Sequence, residues 1–200
     1  MDIFKTKGLD KPDISILNDE FLAEFKQMPQ RNLAVEMLSK LLSDEFKTRG
    51  KTNLIQSKKF SEMLEETINR YQNRTIETAE IIEELIRMAK DFKEAMSRGE
   101  ELGLTEEEIA FYDALGTNDS AVQELGDETL KAIAQDLVKG IRKSVTIDWT
   151  LKENVRAKMR TMIKRILRKY GYPPDKQQQA TITVIQQAEL LCGDWAEEAA

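Results

Sequence analysis

The chain is predicted to be all-α, a helical bundle of about seven to eight helices with no significant β-sheet. Three observations carry this prediction. Apolar residues recur at helical spacing along almost the whole sequence. With 9 Gly and 4 Pro among 200 residues, turn formers are too few for a fold of many short strands. The punctuation that does occur is helical, with Asn, Asp or Thr at starts and Gly or Pro at stops. At 40% hydrophobic and 33% charged, the chain can bury a core and is too apolar for disorder.

Taken in order, a first helix spans about 18–27, from Asn18 as N-cap to a stop before Pro29. A second, over 30–49, carries Leu33, Met37, Leu38, Leu41, Leu42 and Phe46 on one stripe, and Gly50 closes it as a C′ residue. The basic, polar stretch KTNLIQSKK then reads as a connector to a helix bearing Phe60, Leu64, Ile68 and Tyr71. Tyr71–Arg74 is either a bend or a continuation. From Thr75 to about Arg98 a longer helix presents Ile76, Ala79, Ile82, Ile86, Ala89 and Phe92, and Gly99 and Gly103 end it.

Thr105 and Glu108 have the spacing of a capping box, and Gly116 closes the helix that follows. Ser120–Leu125 is one or two turns at most. Asp127 caps a helix to about Ser144 through Leu130, Ile133, Leu137, Val138 and Ile141. Val145–Ile147 is the only plausibly extended piece. A second capping box, Thr150 with Glu153, opens a helix over Leu151–Tyr170, which Gly171 and Pro173-Pro174 terminate. Asp175 caps the last helix, carrying Ala180, Val184, Ala188, Leu191 and Trp195. No repeat or low-complexity linker divides the chain. Residues 1–200 are read as a single domain, with a possible subdomain hinge near 97–105.

Composition excludes several chemistries. Without histidine there is no Ser–His–Asp or Cys–His catalysis and no histidine-ligated zinc. The lone Cys192 rules out an internal disulfide and cysteine-ligated clusters. In a helix beside Leu190 and Leu191, it reads as a small buried hydrophobe. No apolar run approaches the ~18 residues of a membrane span, and MDIFKTKGLDKPD has no signal-peptide core. A cytoplasmic protein is expected.

Residues 153–174 stand out, with seven Lys or Arg and no acid after Glu153 in a chain of net charge −6 until Asp175. On a helix, Val155, Met159, Met162, Ile163, Ile166, Leu167 and Tyr170 fall on one arc. Lys158, Arg160, Lys164, Arg165, Arg168 and Lys169 cover the opposite side, with Arg156 near the boundary. The apolar arc belongs to a core or interface. The basic arc suits an acidic protein surface, DNA phosphates or solvent alone.

Two enzyme motifs are decoys. Pro12-Asp13 with Glu24-Phe-Lys26 has the letters of a magnesium-dependent nuclease, but a helix cannot converge those carboxylates as adjoining strands do. Gly50-Lys51-Thr52 resembles the end of a P-loop, yet the required upstream glycine position holds Glu45 and a helix precedes it. Glu106, Glu107 and Glu108 are an acidic first turn rather than a metal site. Phe111, Tyr112, Trp149 and Trp195 read as packing anchors before base-stacking platforms.

Six stretches in order, KPDISILNDEFL (11–22), NLAVEMLSKLL (32–42), YQNRTIETAEIIEELI (71–86), ELGLTEEEIAFYDAL (101–115), SVTIDWTLKENVRAKMR (144–160) and RILRKYGYPPDKQ (165–177), resemble the C-terminal helical region of the R, or restriction, subunit of type I restriction–modification enzymes. That subunit is an ATP-dependent DNA translocase and endonuclease. The resemblance implies a helical region that joins the motor to the methyltransferase (M) and specificity (S) subunits. It also implies a fragment lacking the nuclease and helicase motifs: not itself an enzyme, and holding no cofactor or metal. ATP and magnesium then belong to the parent subunit's missing domains. The leading expectation is an assembly domain that docks through apolar faces and charged rims. Its candidate contacts are Arg156, Arg160, Lys164, Arg165, Arg168, Lys169, Phe111, Tyr112 and Trp149. The alternative is a DNA-backbone-binding module using the basic helix over 151–170.

Overall fold

The computed structural model describes residues 19–117, 119–144 and 153–198. Eight helices and no strand occur among them: α1 (Asp19–Gln27), α2 (Arg31–Arg49), α3 (Leu54–Gln72), α4 (Thr78–Leu102), α5 (Glu106–Leu115), α6 (Asp119–Ser144), α7 (Glu153–Lys169) and α8 (Gln177–Glu198). The expectations placed on Asn18, Val145–Ile147, Trp149 and Thr150 lie outside the described residues, as does the side chain of Trp195.

The helices distribute over two compact units. Unit 1 comprises the residues up to Gly50 together with Ser57–Arg98, and unit 2 comprises Lys51–Gln56 together with the residues from Gly99 onward. Unit 1 packs α1, α2 and most of α3 and α4 around Leu22, Phe25, Leu38, Leu42, Leu85 and an aromatic cluster. In that cluster the Phe92 ring lies 4.7 Å from Phe46 and 5.1 Å from Phe60, both edge-on, the arrangement the ring quadrupole favours.

Unit 2 is built differently. The whole second half of α5, Ala110–Leu115, is buried, and it packs with Leu130, Ile133, Leu137 and Ile141 of α6, Met159, Ile163 and Leu167 of α7, and Val184, Ala188 and Leu191 of α8. The α6–α7 contact is close at Gly140, where an added Cβ would sit 3.0 Å from the Met162 sulfur. Cys192 belongs to this core, and burial pushes its thiol up to about 12.

Most helix ends follow from local chemistry. Thr105 and Glu108 close a complete capping box. Gly103 and Gly171, both at positive φ, end α4 and α7 in Schellman motifs: Leu104 N–H donates to Gly99 O, and Tyr172 N–H to Leu167 O. Gly126 (φ 71°, ψ 166°) breaks α6 into a short first piece and the main helix, as the sequence predicts. Residues 71–74 form a bend, because α3 ends in the same motif with Arg74 at φ 55° in the place of a glycine.

Four details of the boundaries depart from expectation. KTNLIQSKK is no connector beyond Asn53: the Asn53 side chain accepts the Gln56 N–H and starts α3 at Leu54. Gly50 closes α2 as expected, but as a right-handed C-cap (φ −62°) and not in the conformation usual for a C′ glycine. What it needs is space, since a Cβ there would lie 2.5 Å from Ser57 Oγ, which itself donates to Phe46 O. Asp175 lies in the turn before α8, whose start at Gln177 is held by the Gln177 amide donating to Tyr172 O. Gly99 also lies within α4 instead of ending it.

Candidate functional site

Helix α7 carries the basic face. Its apolar arc turns inward: Met159, Ile163, Ile166 and Leu167 are buried in unit 2, and Val155, Met162 and Tyr170 are half-buried against the same core. Arg156, Lys158, Arg160, Lys164, Arg165, Arg168 and Lys169 are all exposed. The 3.6-residue period thus divides one helix into a packed surface and a cationic one.

The cations are not equivalent. Arg156, at the edge of the arc, pairs with Glu189 of α8. Lys169 donates to Asp136 of α6 at 2.8 Å, and Tyr170 Oη donates to the same carboxylate oxygen at 2.8 Å. Hydrogen bonds from Lys169 and Tyr170 hold the Asp136 carboxyl below the usual carboxylate range, and the Asp136 contact in turn raises Lys169. Between these neutralised ends, Lys158, Arg160, Lys164, Arg165 and Arg168 enter no ion pair among the described residues. Arg160, Lys164 and Arg168 follow one another at four-residue spacing, so their charges line up along one side.

Of the aromatic candidates, Phe111 and Tyr112 do not join this face. Phe111 is fully buried. Tyr112 is 9% exposed, with its hydroxyl donating to Asp127 at 2.7 Å. Both are packing anchors of unit 2, and neither offers a surface to a partner, because α5 lies with that side in the core. The described residues leave few large hydrophobic side chains on the surface. Among the described residues only Leu33, Met63 and Ile182 are large hydrophobics left exposed, and they lie singly on α2, α3 and α8. Leu33 was expected on the buried stripe of α2. Glu107 pairs with Arg142, and Glu108 serves the capping box.

A second polar constellation had no sequence expectation attached to it. In unit 2, Asp113 accepts from Asn53 Nδ2 at 2.8 Å and from Gln56 Nε2 at 3.0 Å, all three being buried. Gln187, fully buried, accepts the Leu54 N–H at 2.9 Å and donates to Thr52 O at 2.7 Å. Residues 133 and 135 positions apart in sequence are thereby fixed together. The one available signal was Asn53 followed three residues later by Gln56, the spacing of a helix start. The partners could not be read from it.

Among the described residues no helix is long and apolar enough to cross a membrane, and no group of three or more His, Cys, Asp or Glu could hold a metal ion.

Comparison with known proteins places this arrangement. The family described as type I restriction enzyme HindI endonuclease subunit-like, C-terminal, matches residues 1–194. The type I restriction enzyme HindI endonuclease subunit of Haemophilus influenzae is 44% identical over 194 residues, covering 97% of this chain and 18% of the relative. A putative type I restriction enzyme MjaIXP endonuclease subunit of Methanocaldococcus jannaschii is 38% identical over 172 residues, 86% of this chain and 16% of that protein. The chain thus spans less than a fifth of the length of these relatives, and no solved structure matches it. An all-α chain matched over nearly its full length by that family belongs to it: this is a C-terminal domain of a type I restriction enzyme endonuclease subunit.

Proposed function

We propose that the domain is a non-catalytic docking element. It would join the ATP-dependent translocase and endonuclease to the methyltransferase (M) and specificity (S) subunits in the cytoplasm, through the basic face of α7. The observation that supports this most is the contrast along α7 itself. Arg156 and Lys169 are neutralised by acids of the same unit, whereas Arg160, Lys164, Arg165 and Arg168 between them have no such partner among the described residues. The guanidinium groups of Arg160, Arg165 and Arg168 can each take a carboxylate on a facing surface in bidentate geometry, with Lys164 adding a point charge. A contact of this kind gives register and partner choice more than bulk affinity. Among the described residues few large apolar side chains are exposed, which favours such a charged contact over a hydrophobic one.

DNA backbone is the second reading, since the same cations suit phosphates. The net charge of −6 opposes it, because an acidic chain as a whole repels a duplex. With Phe111 and Tyr112 in the core, no aromatic platform among the described candidates adds base stacking. In this reading ATP and magnesium act only in the parent subunit's other domains.

Competition separates the two. The chain, in excess, is expected to displace the full-length endonuclease subunit from the methyltransferase core. The triple charge reversal Arg160→Glu, Lys164→Glu, Arg168→Glu should raise the concentration required by about 100-fold. Salt-sensitive duplex binding without any competition for the core would overturn the docking role.

A further inference from the structure

Unit 1 holds a cleft of about 670 Å³ lined by Arg31, Asn32, Tyr71, Arg74, Glu77 and Thr78, among others. We propose that this cleft binds a phosphoryl group. Its lining comes from the start of α2, the end of α3 with the turn after it, and the start of α4, and its charged groups are two arginines and one glutamate.

Arg31 and Arg74 bring guanidinium groups, and neither enters an ion pair among the described residues. Tyr71 Oη donates to Asn32 Oδ1 at 2.8 Å, which orients the Asn32 amide and leaves its Nδ2 hydrogens unused. The first turn of α2 contains no acid, and its N-cap residue, Gln30, makes no side-chain cap. Its leading N–H groups are therefore without intrahelical partners, and the positive end of the helix is uncompensated.

One acid opposes this set. Glu77 lines the cleft, and the Glu80 carboxylate accepts the Glu77 N–H at the start of α4. Two arginines against Glu77 still leave a net positive lining, to which the bare start of α2 adds. A doubly charged oxyanion with three or four acceptor oxygens fits such an excess of donors. Arg74 is also held at φ 55°, where glycine would sit without cost.

That backbone makes the test clean, because Arg74→Gly removes the guanidinium while keeping a residue suited to the turn. Binding of inorganic phosphate to the full chain is followed by calorimetry at low ionic strength, and that of a 12-base-pair duplex by fluorescence anisotropy. Arg74→Gly and Arg31→Gln should each weaken binding about tenfold. Arg87→Gln, an exposed arginine of α4 outside the cleft, should leave it unchanged. Sensitivity seen with phosphate identifies a small-molecule phosphoryl group, and sensitivity seen only with the duplex identifies a backbone phosphate. If neither probe binds, or if the two cleft variants lose no more than Arg87→Gln, the proposal fails.

Discussion

The two units solve the same problem, a helical core, with different materials. Unit 1 relies on aromatic interlock: Phe46, Phe60 and Phe92 meet at 4.7–5.5 Å, with Leu and Ile around them. Unit 2 sets Phe111, Tyr112 and Tyr172 among many aliphatic and alanine side chains, and adds a buried hydrogen-bonded set in Asn53, Gln56, Asp113 and Gln187. Aromatic packing stabilises through area and ring geometry and tolerates some repositioning. A buried polar set contributes little net energy when satisfied, yet penalises every alternative arrangement that leaves a member unpaired. Unit 1 should therefore be sensitive to lost volume, and unit 2 to lost partners.

The largest effect is expected at Phe92, fully buried and in contact with both other rings. Phe92→Ala should cost about 3–5 kcal/mol, from lost transfer energy and the cavity left behind. Denaturant titration gives the magnitude, and hydrogen exchange gives the place. Protection should fall first in α1, α2 and α4. Equal loss throughout α5–α8 would show that the two cores unfold as one and would dissolve the comparison.

Asp113 probes the other strategy. Asp113→Ala leaves the buried amides of Asn53 and Gln56 without their acceptor and should cost about 2–3 kcal/mol. Asp113→Asn keeps an oxygen where both donors converge on the same Oδ2, and should cost clearly less. The gap between these variants, measured as a difference in denaturation midpoint, reports the acceptor together with the volume that alanine removes. If Ala and Asn are equally damaging, the charge rather than the acceptor matters, and the argument for partner-dependence in unit 2 weakens.

The same contrast explains what could be read from the sequence. The apolar stripes of α2, α4 and α7, the capping box at Thr105 and the stop at Gly171 are local, each set by residues within a few positions of one another. Periodicity and capping chemistry therefore recovered the all-α class and both faces of α7. The start of α3 at Leu54 was hidden because Asn53 looks like one polar residue in a basic connector. Its second partner, Asp113, lies 60 positions away. Phe111 and Tyr112 were placed among the contact candidates because a single helix cannot say which neighbours will cover it. Gly50 was legible as a stop but not in its conformation, because glycine serves both positive φ and close approach, and only the position of Ser57 decides between them. The basic arc was legible as charge. Which of its members are neutralised depended on Glu189 and Asp136, from other helices.

The smallest effect concerns those surface pairs, and it too should differ between the units. In unit 2, Asp136 is two-thirds shielded and takes hydrogen bonds from both Lys169 and Tyr170; in unit 1, Asp19 meets Lys90 almost fully in solvent. Both carboxyls are held below their ordinary value, each chiefly by its lysine hydrogen bond. A depressed folded-state value means the stabilisation is complete above the unfolded carboxylate range, near pH ~4, and is lost as pH falls through the lower folded value. Lys169 is raised, so its share is present below its ordinary range and is lost only as pH rises through the higher folded value. Asp136→Asn should therefore lower the melting temperature by only ~1–2 °C at neutral pH and flatten part of the acid limb. Asp19→Asn should do less, since solvent and salt already screen that pair. A larger shift from Asp19→Asn than from Asp136→Asn would mean that the second hydrogen bond, from Tyr170, adds nothing to the unit 2 pair.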